Sequence, residues 1–163
     1  MNIGKREFLA ASGCGVVGLI LWNSAVPAQS AGSFEVSKTD AQWRTQLGPQ
    51  RFAILRRAGT ERPGSSALLN EHRRGVFTCA GCALPLFAST TKYDSGTGWP
   101  SFFRPLANAV RTRPDPKYLM AETEVLCRRC GGHLGHVFKD GPRPTGLRYC
   151  INGLALNFRT LPA

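Results

Sequence analysis

Six cysteines set the chemical possibilities of this 163-residue chain, and their spacing divides them. Cys79-Ala-Gly-Cys82 and Cys127-Arg-Arg-Cys130 form two Cys-x-x-Cys pairs separated by a long insertion, while Cys14 and Cys150 stand alone. Two such knuckles can each present two thiolates, so that four sulfurs meet one Zn²⁺ tetrahedrally at about 2.3 Å. Gly81 and Gly131 favour this reading, because a small residue there lets backbone amides turn towards sulfur. A site closed by four thiolates has no open position, so its metal would hold the fold together and leave the chemistry elsewhere. The alternatives are disulfides or a thioredoxin-like dithiol in an exported protein, and a zinc ribbon that binds nucleic acid. No βαβ pattern surrounds either pair, and a ribbon gives no use to an isolated cysteine flanked by polar groups.

Cys150 is that cysteine. In LRYCIN it lies two residues after Arg148 and two before Asn152, in a strand-like run where alternate side chains share a face. A guanidinium beside a thiol favours the nucleophilic thiolate, and an amide can hold the substrate. A small buried core cysteine is the competing reading. His133-Leu-Gly-His136 and Asp140 add two imidazoles, which can donate or shuttle protons, and a carboxylate that can orient one of them. The histidines could also be metal ligands or a structural pair, although four cysteines already suffice for zinc. GWPSF at 98–102 adds the indole of Trp99 in a loop framed by Gly and Pro; a lone indole is more often core. His72, in a basic loop with no nearby partner, reads as surface.

These groups need elements to hold them. Thr39 with Gln42 three residues on forms a capping box, and Trp43 and Leu47 at helical spacing predict a short helix to Gly48. Pro49 suits the first turn of a second helix, which carries Phe52, Leu55, Arg56 and Arg57 and ends at Gly59. Trp43 and Phe52 are read as core anchors. Beyond the polar loop 60–70 come short strand-like runs: GVFTC, the alternating segment 118–127, LGHVF, RYCI and LALNF. Turn-rich segments such as DSGTG at 94–98 and DGPRPTG at 140–146 separate them. The pattern predicts one mainly β domain of antiparallel strands with short N-terminal helices. Eighteen glycines and 11 prolines suit it better than a helical bundle.

The formal net charge of +11 raises acidic partners, membranes and nucleic acid as possibilities. Arginines occur singly or in pairs along the whole chain, with no run of five or more basic residues, which reads as a generally basic, soluble surface. At the N-terminus Lys5 and Arg6 precede an apolar run to Trp22 interrupted by Gly13, Gly15 and Gly18, followed by Ala25-Val-Pro-Ala28. This reads as an export signal cleaved after Ala28 or nearer Ala31. KREFLA resembles a twin-arginine signal whose first arginine is lysine, a route that carries folded protein and would let the metal load first; a Sec signal is the alternative. An uncleaved membrane anchor is a further alternative, set against an apolar run shorter than the roughly 20 residues a spanning helix needs. Cys14 suggests a lipoprotein, but Ala11 stands where such motifs usually have Leu. The expected organisation is an export signal over 1–30, a flexible lead-in over 31–38 and a domain over 39–163, with a periplasmic or otherwise exported product.

From about Thr39 onward, GTERP, FTCAGCALPLF, TKYDSGTGWPSF, CRRCGGHLGHVFKDGP and PTGLRYCINGLALNF occur in order, and together they resemble the B-type peptide methionine sulfoxide reductases. The resemblance implies a pair of antiparallel β-sheets with small N-terminal helices, often zinc-bound. It implies reduction of the R epimer of methionine sulfoxide, in oxidised proteins or peptides before the free amino acid. Position by position it makes Cys150 the catalytic cysteine, and Cys79, Cys82, Cys127 and Cys130 the zinc ligands. Trp99 becomes the indole that packs on the substrate methyl group. His133, His136, Asp140, Arg148 and Asn152 become the polar groups around sulfoxide and thiolate. The implied chemistry is protonation of the sulfoxide oxygen through His133 or His136 while Cys150 attacks sulfur, leaving a sulfenic acid on Cys150. One departure matters: many members carry a resolving cysteine in GCGWPSF, where this chain has Thr97. With four cysteines on zinc and Cys14 removed with the signal, the expectation is direct reduction by an external thiol such as a thioredoxin-like donor. A monomer is expected, without nucleic acid and without stable membrane association once the signal is removed.

Overall fold

A capping box starts the one α-helix among the described residues. Thr39 Oγ1 accepts from the Gln42 amide at 3.3 Å, and Gln42 Oε1 accepts from the Thr39 amide at 2.9 Å. The helix that follows, α1 (Asp40–Arg57), contains both expected rods in continuous succession. Gly48, at φ +68°, breaks the first, and Pro49 restarts the second where its missing N–H is not needed. The far end differs from the expectation. Ala58 takes the left-handed cap at φ 50°, and the Gly59 amide donates to the Ala53 carbonyl at 3.0 Å. Glycine is needed at 59 for clearance, since a Cβ there would lie 2.9 Å from that carbonyl oxygen. Trp43 and Phe52 are buried as anticipated, with Leu47, Ile54 and Leu55 beside them.

The computed structural model describes residues 34–115 and 122–162. The expected export signal and the start of the 118–127 segment therefore lie outside the described residues. Of the expected lead-in, residues 34–38 are described: the Val36 amide donates to the Arg129 carbonyl at 3.0 Å, and Glu35 pairs with Arg128.

Among the described residues nine strands follow in chain order: β1 (Gly75–Cys79), β2 (Pro85–Ala88), β3 (Lys92–Tyr93), β4 (Ser101–Phe102), β5 (Val110–Pro114), β6 (Thr123–Cys127), β7 (His133–Phe138), β8 (Arg148–Ile151) and β9 (Leu156–Thr160). They form two antiparallel sheets, β2-β1-β9 and β3-β4-β8-β7-β6-β5. The fold is thus mainly β, as the sequence predicted. The run LALNF enters β9 through a 3-10 turn at Gly153–Ala155. β2 to β5 went unpredicted, for physical reasons: β3 and β4 have two residues each, too few for any periodicity, and β5 is largely exposed. The core gathers side chains of both sheets under α1. Phe87 of β2 stacks on Phe102 of β4 at 4.3 Å, and Phe77 of β1 meets the same ring edge-on at 5.0 Å.

Candidate active site and metal centre

One row of directly opposed residues crosses the six-stranded sheet. Tyr93 faces Ser101, Ser101 faces Cys150, Cys150 faces His136, His136 faces Glu124, and Glu124 faces Arg113. Opposed residues of antiparallel strands carry their side chains on one face, about 5 Å apart. β8 therefore sets its cysteine between a hydroxyl and an imidazole. A cleft of about 200 Å³ lies over this row, with Trp99, Glu122, His136, Phe138, Cys150 and Asn152 among its walls.

The two imidazoles differ in what they can do. His136 lines the cleft, with its Nε2 2.8 Å from Asp115 Oδ2 and 3.9 Å from Glu122 Oε2. His133 is buried behind it, the ring centroids 5.4 Å apart, and its Nδ1 lies 2.7 Å from Glu124 Oε1. Burial works against ionisation of Glu124, but hydrogen bonds from Arg113 and His133 outweigh it and hold the carboxyl below its usual range. A carboxylate only accepts, so His133 donates from Nδ1. Burial also pushes the His133 imidazole below its usual pKa, despite Glu124. A neutral ring protonated on Nδ1 can take a proton at Nε2 but has none there to give.

Asp140 does not orient an imidazole. It follows β7 into the turn that leads to β8, and there it forks onto Arg148 at 2.9 and 2.8 Å. The Arg148 guanidinium also lies 4.4 Å from the Phe138 ring centre. The histidine-orienting carboxylates are Asp115 and Glu124. Arg148 does draw the Cys150 thiol towards ionisation, as does Thr97, whose Oγ1 is 3.9 Å from Sγ. Burial is the larger influence, and the thiol's pKa is raised on balance.

Asn152 is buried and committed to backbone. Its Nδ2 donates to the Leu134 carbonyl at 3.2 Å, and its Oδ1 accepts from the Glu61 amide at 3.0 Å. The Trp99 Nε1 donates to the Glu61 carbonyl at 3.2 Å. The Glu61 carboxylate in turn accepts from the amides of Gly153 at 2.5 Å and Leu154 at 2.9 Å. Glu61 thus braces both Trp99 and Asn152, a role that sequence reasoning missed. It lies in GTERP, one of the blocks that carry the resemblance, but no role attaches to it there. His72 is exposed, as expected.

The four paired cysteines meet at one place. All four sulfurs lie within 4.8 Å of one another, with Cys79 Sγ 3.7 Å from Cys130 Sγ and Cys82 Sγ 3.5 Å from Cys127 Sγ. A tetrahedron with zinc–sulfur bonds of about 2.3 Å has edges of about 3.8 Å, whereas a disulfide needs about 2.05 Å. The donor set fits a closed structural metal site. The two knuckles repeat one geometry. Ala83 and Gly131, the residues after each second cysteine, have φ of 58° and 68°. Their amides donate to the carbonyls of Cys79 and Cys127 at 2.8 and 2.9 Å. The Gly81 amide also reaches Cys79 Sγ at 3.4 Å, the expected turn towards sulfur, although a Cβ at 81 would make only ordinary contacts from 3.5 Å outward, so the turn does not require glycine there. His133 and His136 stand apart from this cluster, on their carboxylates.

Comparison with known proteins agrees with this arrangement. A family model described as the SelR domain matches residues 47–160. A peptide methionine sulfoxide reductase MsrB of Thiobacillus denitrificans is 55% identical over 127 residues, which cover 77% of this chain and 96% of that protein. The corresponding protein of Leptospira interrogans is 50% identical over 128 residues, covering 78% and 98%. That of Methanosarcina barkeri is 52% identical over 126 residues, covering 77% and 89%. A domain match across most of the chain, and relatives at 50–55% identity along most of their own length, place this chain among the B-type peptide methionine sulfoxide reductases, oxidoreductases that act on methionine sulfoxide.

Proposed function

We propose that Cys150 attacks the sulfur of methionine-R-sulfoxide in oxidised proteins or peptides, and that the resulting sulfenic acid is reduced by an external thiol such as a thioredoxin-like donor. The observation that carries this reading is the shared cleft of Cys150, His136 and Trp99. His136, with its Nε2–H on Asp115, takes the Cys150 thiol proton at its other ring nitrogen and passes it to the sulfoxide oxygen, whose bond to sulfur then breaks. Cys150 gains that oxygen as Cys–SOH while methionine leaves, so one thiol and one sulfoxide become one sulfenic acid and one thioether. Trp99 and Phe138 offer the methyl group an apolar wall, and the oxygen is left facing His136, a shape that favours one epimer. An incoming thiol then displaces water from the sulfenic acid, and a second thiol releases Cys150 from the mixed disulfide.

The cluster of Cys79, Cys82, Cys127 and Cys130 holds zinc in this reading, and the metal fixes the fold without entering the reaction. Residues 1–30 direct export to the periplasm; recovery of the enzyme in the cytoplasmic fraction alone would refute that part. The catalytic assignment is tested by one turnover on an R-sulfoxide peptide without reductant. Intact mass should show one added oxygen on Cys150, and a stable disulfide from Cys150 to a cluster cysteine would sink the external-thiol step. Cys150→Ser should abolish reduction with metal content unchanged, and retained activity would remove the nucleophile.

A further inference from the structure

Cys150 ends a chain of three hydroxyls. Thr97 Oγ1 lies 3.9 Å from Cys150 Sγ, Ser95 Oγ lies 2.8 Å from Thr97 Oγ1 and 2.7 Å from Ser101 Oγ, and Ser101 Oγ lies 3.1 Å from the Trp99 carbonyl oxygen. The turn that carries the first two is shaped for the purpose. Asp94 accepts from the Gly96 amide at 2.9 Å, and Gly96 and Gly98 take φ of 70° and 89° on either side of Thr97. Ser101 comes from β4, directly opposite Cys150 in the sheet.

Proton counting fixes the direction of the chain. A carbonyl oxygen only accepts, so Ser101 donates to Trp99. Each hydroxyl has one proton, so Ser95 then donates to Ser101 and Thr97 to Ser95. The Cys150 S–H is left to donate to Thr97. Removing the thiol proton allows a second arrangement by rotation of hydroxyls alone. Thr97 turns its hydrogen to the sulfur and Ser95 turns to Thr97, while Ser101 stays on the carbonyl. Two neutral hydrogen bonds, the weak one from the thiol to Thr97 and the one between Ser95 and Ser101, are exchanged for one to an anion, and bonds to ionised groups are roughly twice as strong. The 3.9 Å separation is long for the thiol state, and contacts of this kind tighten when charge develops.

We propose that Thr97 is the switchable donor that stabilises the Cys150 thiolate, with Ser95 as the positioning residue that turns its hydroxyl to Thr97 in the thiolate state and Ser101 as the acceptor that holds Ser95 in the thiol state. The inference rests on Cys150 being the nucleophile. Arg148 also favours the thiolate, by its charge and by a hydrogen bond to the sulfur, while Asp140, to which it is paired, works against it; Tyr93 approaches from β3, and His136 and Glu122 face the sulfur across the cleft. Thr97 is the neutral donor of the set, so its effect is separable from theirs by a substitution that changes no charge. The residue that stands in the resolving position thereby serves the forward step.

The test is the rate of Cys150 alkylation by iodoacetamide against pH, in full-length metal-loaded protein, with the label located by peptide mass. Thr97→Val should move the midpoint up by about one pH unit, roughly a tenfold slower reaction at neutral pH. Thr97→Ser keeps the hydroxyl and should keep the wild-type profile, and Ser95→Ala should shift it in the same direction by less. An unmoved midpoint in Thr97→Val, or a serine variant as slow as the valine one, overturns the proposal. Should the valine variant fail to fold, by circular dichroism or metal content, Ser95→Ala decides, and an unmoved midpoint there overturns it equally. Alkylation needs no turnover, so this outcome is independent of the catalytic assignment, which fails separately if Cys150→Ser still reduces sulfoxide.

Discussion

Glu61 holds the cleft together without touching the reacting sulfur. Its backbone is gripped by Asn152 and Trp99, and its carboxylate caps the amides of Gly153 and Leu154. Glu61→Ala would leave both amides without that acceptor, and an unsatisfied buried donor costs about 1–3 kcal/mol. The Glu61 main chain, whose carbonyl accepts from the indole, would keep that bond but lose the carboxylate that anchors it to the 153–155 turn, so the indole's perch would loosen. Steady-state kinetics on a sulfoxide peptide should therefore show a raised KM with kcat changed much less, alongside a lower melting temperature. A collapse of kcat at constant KM would instead put Glu61 in the chemistry. The sequence marked Cys150, His136 and Trp99 through motif and resemblance, yet it could not mark Glu61, Asp115 or Glu124. These carboxylates lie 89, 35 and 26 residues before Cys150 in the chain, and only strand register and loop docking bring them to the site.

At the scale of elements, legibility followed length and local chemistry. The capping box, Pro49 and Gly48 gave both helical rods because each acts within a few residues. β1, β7 and β8 were visible as runs of four to six residues. β3 and β4 were not, although β4 supplies the hydroxyl opposite Cys150, because a pair of residues has no pattern. The knuckles are the other elements whose geometry decides function. A Cβ at Gly131 would meet the Phe34 ring at 2.3 Å, in addition to the strain of φ +68°. Gly131→Ala should therefore lower stability by about 1–3 kcal/mol and weaken metal retention. Ala83 already bears the matching left-handed strain, so Ala83→Gly should melt at the same or a slightly higher temperature. Thermal unfolding of the two variants beside the wild type checks both, and three equal melting temperatures would deny that the knuckles are held in this geometry.

Across the whole molecule the arginines that give the chain its charge are spread over the aromatic framework. Arg56 covers Trp43, Arg44 and Arg57 cover Phe52, Arg73 covers Phe158 and Arg111 covers Phe34, at 4.2–5.5 Å from the ring centres. The metal-capable cluster has the larger mechanical role. Cys79 ends β1 in the three-stranded sheet and Cys127 ends β6 in the six-stranded sheet, so a metal bound there ties the two sheets together. The tie also reaches the cleft: the Ala80 amide donates to the Ala155 carbonyl at 2.9 Å, in the same 3-10 turn whose Gly153 and Leu154 amides Glu61 caps. Stripping the metal with a chelator under reducing conditions should therefore weaken fold and cleft together. Structural zinc contributes several kcal/mol to folding, and for a domain of this size even about 3 kcal/mol corresponds to a fall of roughly 10 °C in melting temperature. Because the ligands must be deprotonated, the metal should be lost more readily as pH falls. Protein proven metal-free by elemental analysis that still melted at the holo temperature, and bound sulfoxide peptide with the same KM, would show that the cluster supports neither the sheets nor the cleft. The expected result is a lower melting temperature and a raised KM that readded Zn²⁺ restores together, since one bonded path runs from Cys79 through the 153–155 turn and Glu61 to Trp99.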